Sequence, residues 1–431
     1  MKYILSVLML LAAISHCNAQ TDYFPPVNSD EWETMPLEDL NWCQEKVDSM
    51  VNFVENNNSK AFIILKDGKI VVEEYFDDFT QDSTWYWASA GKTMTAFLVG
   101  LAQDQGLLSI DEPSSSYLGE GWTSLTPEQE EQITIWHQLT MTTGLDYNIK
   151  ELDCTDPNCL TYLNEPGEAW FYHNAPYTRL DGVLENATGS GLNLYLFNQL
   201  SLYTGITGAY VPVGFNNVLF SKPRSMARFG HLLLNEGVWN GLTLLNDNDY
   251  FQSMTTTSQE LNEAYGYLTW VNNGNSFMMP SLDVSFPGNI ISNAPFDMYS
   301  AQGKNGQIIN VVPSERLVIM RMGDLPDDGS LIPVLFNDFL WEYLNDLECE
   351  PDLVSGFNEN DFKIYPNPAE GFIQVDTPLK EYQITLLDSS GRTVLSVKNK
   401  SRLNVYHLQT GVYALQLSSK HHTISRKVII E

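Results

Sequence analysis

Residues 60–75, Lys60-Ala-Phe-Ile-Ile-Leu-Lys-Asp-Gly-Lys-Ile-Val-Val-Glu-Glu-Tyr75, place two apolar runs on either side of Asp67-Gly68. An Asp-Gly pair between such runs predicts a tight hairpin, because both residues tolerate the positive φ that a two-residue turn requires. An antiparallel sheet therefore starts early in the chain. From Ser89 the pattern changes. Met94, Phe97, Leu98, Leu101 and Leu107 supply an apolar helical face, and Gly106 suits the end of that helix.

Mixed elements continue to about residue 350. The stretch 206–222 reads as a loop. Residues 223–236 read as a helix with Met226, Phe229, Leu232 and Leu233 on one face and Gly237 placed to end it. Strands are expected at 265–271, 307–312 and 317–321, and a last helix over 332–347 carries Val334, Phe336, Phe339, Leu340 and Leu344. Strands at both ends with helices between them predict an α+β domain whose antiparallel sheet gathers strands from both termini beside a helical region.

The chain has 431 residues, long enough for two or three domains. It carries 23 Lys+Arg against 54 Asp+Glu, a net charge of −31. Such an excess argues against binding nucleic acid or an anionic membrane through bulk charge, since phosphate recognition needs a basic face. The charge is uneven. Residues 361–431 hold 9 basic and 6 acidic residues, while the rest hold 14 and 48. That tail reads as short strands at 372–375, 382–387, 393–397, 412–417 and 427–430 with turns between them, which predicts a small all-β sandwich.

Residues 1–19 look like a secretory signal: Lys2 precedes an apolar run from Ile4 to Ile14, and Ala19 suits a cleavage position. Later in the chain no transmembrane segment is expected. The expected layout is a signal peptide over 1–19, an N-terminal segment over 20–44, a main domain over 45–350, a linker over 351–360 and the tail over 361–431. Export would leave Cys43, Cys154, Cys159 and Cys349, and four cysteines allow three disulfide connectivities. Cys154 and Cys159 bracket a turn-like stretch and suit a local bridge, which would leave Cys43 to pair with Cys349. No C-x-x-C pair or His cluster supports a metal. No H-E-x-x-H or P-loop pattern occurs, and no cofactor is implied. Without a G-x-S-x-G the chain also lacks the nucleophile elbow of an α/β-type Ser-His-Asp hydrolase.

Ser89-Ala-Gly-Lys92 is the only S-x-x-K in the chain. On a helix Lys92 lies one turn from Ser89 on the same face. A serine hydroxyl is a weak nucleophile until a base takes its proton, and a partly desolvated lysine can do so. Tyr172-His-Asn174 supplies a second proton-handling element within Pro166-Gly-Glu-Ala-Trp-Phe-Tyr-His-Asn-Ala-Pro-Tyr177. His173 lies inside this motif as a candidate pocket residue. Trp85, Trp87, Tyr177 and Trp270 suggest an apolar or aromatic binding site.

These motifs resemble the serine β-lactamase and penicillin-binding-protein superfamily, most closely its class C-like esterase, D-peptidase and 6-aminohexanoate-dimer-hydrolase branch. Further matches are Ile133-Thr-Ile-Trp-His-Gln-Leu-Thr-Met-Thr-Thr-Gly-Leu145, Ser221-Lys-Pro-Arg-Ser-Met-Ala-Arg-Phe-Gly230 and Tyr299-Ser-Ala-Gln-Gly303 followed by Gly306-Gln307. The resemblance covers roughly residues 45–347. It implies a β-lactamase/transpeptidase-like fold in which Ser89 forms an acyl-enzyme and Lys92 and Tyr172 share acid–base work. Asn174 would hold Lys92 or the substrate, and the oxyanion would sit between the backbone N–H groups of Ser89 and Lys304. The chain departs from the pattern at Ala301-Gln302-Gly303, where the superfamily usually carries Lys or His, then Ser or Thr, then Gly. Without that cation a substrate carboxylate is poorly held. The expected substrate is a small-molecule ester or small amide, ahead of a β-lactam or a D-amino-acid peptide. An inactive penicillin-binding-like binding protein is the alternative outside catalysis.

In the tail, Tyr365-Pro-Asn-Pro368, Leu387-Asp-Ser-Ser-Gly-Arg392, Leu408-Gln-Thr-Gly-Val-Tyr413 and Lys427-Val-Ile-Ile-Glu431 resemble the C-terminal sorting domain of the type IX (Por) secretion system. That resemblance implies passage through the periplasm, delivery outside the cell or to its surface by the type IX machinery, and removal of the tail.

Overall fold

The structure, a computed structural model, describes residues 22–326, 332–349, 362–379, 382–419 and 423–431. The expected signal at 1–19 and linker at 351–360 lie outside the described residues. Contacts divide the chain into two units, Met1–Glu348 and Cys349–Glu431.

The first unit begins with helix α1 (Gln44–Asn56), then strands β1 (Ser59–Lys66) and β2 (Lys69–Tyr75). Lys66 pairs with Lys69, so the turn is the two residues Asp67 and Gly68, at φ 50° and 80°. Both values are positive, as that turn requires. Helix α2 (Gly91–Asp104) follows, and Gly106 ends it at φ 68°. Further along lies helix α3 (Pro223–Leu234). Strands β3 (Trp270–Val271), β4 (Tyr299–Gly303), β5 (Gln307–Val312) and β6 (Leu317–Gly323) precede the last helix of the unit, α4 (Val334–Asn345).

The six strands form one antiparallel sheet in the order β2-β1-β6-β5-β4-β3. Strands from both ends of the unit therefore meet in one sheet, with β1 beside β6. β5 and β6 are buried along their whole length, so both faces of the sheet are covered. On one face α3 comes so close that a Cβ on Gly230 would lie 2.5 Å from Val318 Cγ1 and 2.8 Å from Ile309 Cγ2. On the other, Asn310 Nδ2 donates to Asn337 Oδ1 of α4 at 2.7 Å, and the Phe336 ring lies 4.7 Å from the Arg321 guanidinium. The residues alternate between faces, Val318 and Ile309 toward α3 and Asn310 and Arg321 toward α4. α1 joins α4 through Phe53, which stacks on Phe336 and Tyr343 at 5.4 and 4.8 Å. Cys43 N–H donates to Leu347 O, so the two ends of the unit are adjacent.

Three local expectations differ from the structure. The stretch 206–222 is a hairpin, Gly208–Val213 against Asn216–Ser221, and it pairs with Trp85–Tyr86. Its sequence hides this, because Pro212, Gly214, Asn216 and Asn217 disfavour strands and only Tyr210, Leu219 and Ser221 are buried. In the segment 265–271 only Trp270–Val271 is strand, since the chain turns at Leu268, φ 49°, and Tyr265 bridges back to Trp270. Helix α2 starts at Gly91, so Ser89 lies in the 3-10 turn Ala88–Ala90 before it.

The second unit contains two antiparallel sheets. One orders Lys363–Tyr365, Phe372–Asp376 and Arg402–Asn404. The other orders Thr393–Lys398, Gln383–Leu387, Gly411–Ser418 and Thr423–Ile430. Ile373, Val375 and Leu403 from the first share one core with Ile384, Leu386, Leu415 and Val428 from the second. The tail motifs are structural. Asn367 donates to Lys427 O and accepts from Ile429 N–H, which ties the first motif to the last. Asp388 accepts from the Ser390 hydroxyl and from the backbone and guanidinium of Arg392, and these bonds hold its carboxyl well below the usual carboxylate range.

Candidate active site

Three anchors place the turn that carries Ser89. Trp87 N–H donates to Leu219 O at 2.8 Å, and its indole N–H donates to Ser221 Oγ at 2.7 Å, so the 208–221 hairpin holds the residue two before Ser89. At the end of β4, Gly303 approaches so closely that a Cβ there would lie 2.5 Å from Trp87 O, 2.8 Å from Ala90 N and 3.0 Å from Ser89 N. Only glycine fits this position. Ala88 adopts φ 47°, a left-handed backbone that costs a non-glycine residue roughly 1–2 kcal/mol. Strain of this sort collects at functional turns.

Ser89 does not cap the helix. The position before α2 is Ala90, with no side-chain cap bond, and Ser89 Oγ instead lies 3.0 Å from Lys92 Nζ. Ser89 is half-buried, whereas Lys92 is 4 % exposed and Tyr172 6 %. The Lys92 ammonium rests against two aromatic faces, 4.2 Å from the Tyr177 ring and 5.0 Å from that of Tyr172. Burial brings Lys92 down to about 7. Asp153 and Asp181 oppose that shift and Lys304 reinforces it. A lysine so placed is substantially neutral near pH 7 and its lone pair can accept the Ser89 proton. Burial raises the Tyr172 phenol well above its ordinary value, and Ser89 pulls weakly the other way. It therefore stays protonated and suits a relay role.

Tyr172 is fixed by an aromatic cluster, stacked on Trp270 at 5.9 Å with Tyr265 and Trp170 at 6.2 and 6.4 Å. Trp270 and Trp87 are fully buried, so they build the wall behind the site and do not line an open pocket. His173 is buried with both ring nitrogens unpartnered among the described residues, and burial lowers it to about 4. Beside it is a small cavity lined by Thr143, Tyr147 and Phe171, whose two rings stack at 4.0 Å.

The structure thus brings Ser89, Lys92, Tyr172 and Gly303 together. Lys304, next in sequence to Gly303, has an exposed side chain. The Gln302 side chain lies on the other face of β4. It pairs across to Ile308 and, through it, Arg321, and Gln302 Nε2 donates to Ser300 Oγ at 2.8 Å. The side-chain position that faces the Ser89 turn beside Gly303 is Ala301. Asn174 Nδ2 donates to Asp153 Oδ1 at 2.7 Å, and its Oδ1 is buried without a partner among the described residues. Asp153 escaped the sequence reading, as did Asp181, a buried carboxyl pushed up to about 7 that accepts from Asn217 at 2.8 Å. The place of Asp153 beside Cys154 was the available signal for the first. Cys154 and Cys159 form a disulfide, and Cys43 and Cys349 are disulfide-bonded as well. Among the described residues no His, Cys, Asp and Glu group could hold a metal ion, and no helix is long and apolar enough to cross a membrane.

Residues 53–199 match the Beta-lactamase family, and residues 363–431 match the Secretion system C-terminal sorting domain. The chain carries a beta-lactamase family domain followed by a Por-type sorting domain. Many solved structures share the fold, among them the following three. One, from Bacillus anthracis, is assigned as a 6-aminohexanoate-dimer hydrolase; it is 16 % identical, with a TM-score of 0.54 over 75 % of this chain and 88 % of its own. Another, from Bacteroides dorei, is assigned as a β-lactamase; it is 17 % identical, with a TM-score of 0.56 over 71 % and 99 %. A family VIII carboxylesterase is 15 % identical, with a TM-score of 0.50 over 70 % and 97 %. The first unit thus has the fold of a hydrolase family with esterase and amide-hydrolase neighbours. The sorting domain indicates secretion or attachment to the cell surface.

Proposed function

We propose that this protein is a secreted serine hydrolase that cleaves a small ester or amide through an acyl-enzyme on Ser89. The observation that carries the reading is the 3.0 Å contact between Ser89 Oγ and a buried Lys92 held near neutrality. Lys92 Nζ takes the Ser89 proton as Oγ bonds to the substrate carbonyl carbon. The resulting oxyanion accepts from the backbone N–H groups of Ser89 and Lys304. As the carbonyl–heteroatom bond breaks, Tyr172 gives its proton to the leaving group and regains one from Lys92. Water then enters, loses a proton to the same pair, and releases the acid and Ser89.

Ala301 supports ester and small-amide substrates over β-lactams and D-peptides, because no side-chain cation stands there to hold a substrate carboxylate. The type IX route through the periplasm, with the tail removed on arrival, completes the reading. Purified enzyme is expected to hydrolyse a chromogenic acetate or butyrate ester and to leave a chromogenic cephalosporin intact. Cephalosporin turnover exceeding that of the ester would reverse the preference. No turnover of either substrate would favour a binding protein.

A further inference from the structure

Asn174 is held by a piece of chain that is distant in sequence. Its Nδ2 donates to Asp153 Oδ1 at 2.7 Å, and Ala175 N–H donates to Leu152 O at 3.0 Å. Two bonds therefore tie residues 152–153 to the start of the helix Asn174–Thr178, just after Tyr172. The 152–153 segment is itself braced. Cys154 N–H donates to Glu151 O at 3.0 Å, and the Cys154–Cys159 bridge closes the loop that follows. An amide has one donor end and one acceptor end. With Nδ2 committed to a carboxylate, Asn174 Oδ1 is fixed as a buried acceptor that meets no donor among the described residues. A buried acceptor left unmet costs free energy unless something fills it.

We propose that Asp153 is a positioning residue for the hydrolysis assigned to Ser89. It locks the Asn174 amide with Oδ1 free to accept an N–H or O–H from bound substrate, and places a fixed negative charge where it steadies the Lys92 cation formed during acylation. This rests on the serine-hydrolase reading. Lys92 Nζ touches Ser89 Oγ and the rings of Tyr172 and Tyr177, and the charges that act on it are Asp153 and Asp181, which favour its cation, and Lys304, which disfavours it. Asp153 stands first among the carboxylates in that balance, and its removal shifts the balance toward the neutral amine.

The test compares wild type, Asp153→Asn and Asp153→Glu as the full chain. It measures kcat/KM for a chromogenic ester from acid to alkaline pH, with the rate of labelling by a fluorophosphonate. Asp153→Asn is expected to lose about tenfold in kcat/KM, the worth of one hydrogen bond to a charged group, and to move the acid limb to lower pH. Asp153→Glu restores the wild-type limb. Should Asp153→Asn fail to fold, Asp153→Ser gives the same reading with a neutral side chain. An unchanged limb, whether the rate falls or not, assigns Asp153 a purely structural part and overturns the proposal. So does a limb that moves to higher pH. A wild-type protein that neither turns over the ester nor labels defeats the hydrolase reading instead, and the proposal with it.

Discussion

Lys92→Arg is expected to lower kcat/KM for an ester by about a thousandfold, the range of a lost general base, while leaving the fold intact. Arginine keeps a positive charge at the site but holds its proton at any accessible pH. Lysine at this position does not, because burial brings it down to about 7. The sign of the pH dependence follows. Above pH 7 wild-type Lys92 is mostly neutral and can accept the Ser89 proton. Below it the ammonium persists, and the rate should fall about tenfold per pH unit. The wild-type profile therefore rises through an acid limb near pH 7. Lys92→Arg should lose the rate across the whole range and show no such limb. A variant that kept more than a tenth of wild-type activity, with the limb in place, would assign the base to another residue. Tyr172 is poorly suited to replace it, since its raised phenol pKa keeps it protonated over the same range.

Arg321→Ala is expected to be the most destabilising single substitution outside the active site. The side chain is fully buried in β6. Its guanidinium donates to Asn57 O, Asn305 O, Gly306 O and Asp324 O, and its Nε donates to Ser59 Oγ at 2.7 Å. Gly306 and Gly323 leave the space it needs: a Cβ on Gly323 would come within 2.5 Å of Nη2, and one on Gly306 would also collide with the guanidinium. Truncation takes a donor from the buried Gly306 carbonyl and from three part-buried ones, of which Asn305 O keeps Gln307 Nε2, and opens a cavity beside Phe336. The expected loss is about 3 kcal/mol or more, read as a lowered midpoint in urea. Two of those carbonyls belong to the turn Lys304–Gly306 that follows β4. The variant should therefore also lose ester turnover at temperatures where it is still folded. An unfolding free energy within about 0.5 kcal/mol of wild type, the allowance for a surface substitution, would show that the carbonyls find other donors.

The parts of the fold that were legible in the sequence are those fixed by local chemistry. Asp67-Gly68 specifies its own turn, and the apolar runs at 307–312 and 317–321 mark two of the sheet's strands, which the structure buries between the two helical layers. The hairpin at 208–221 was not legible, because its strands carry Pro212, Gly214 and Asn217 and form only by pairing with Trp85–Tyr86 and covering Leu219. In the site, Ser89 and Lys92 were legible from a spacing of three, although the serine lies in a 3-10 turn before the helix and not on it. Asp153 and Asp181 are held by partners 21 and 36 residues away in sequence, Asn174 and Asn217, and no local pattern encodes such distances. Gln302 shows a related limit. The motif places it beside Gly303, but the pleat of β4 turns its side chain to the opposite face.

The most direct measurement is the site of covalent modification. Wild-type protein is treated with a fluorophosphonate at pH 8, weighed intact, and digested to locate the adduct by peptide mass spectrometry. The expected result is one adduct per chain on Ser89 Oγ, absent from Ser89→Ala and slowed in Lys92→Arg. An adduct on another serine, or labelling that survives Ser89→Ala, would contradict the assignment of Ser89 as the nucleophile.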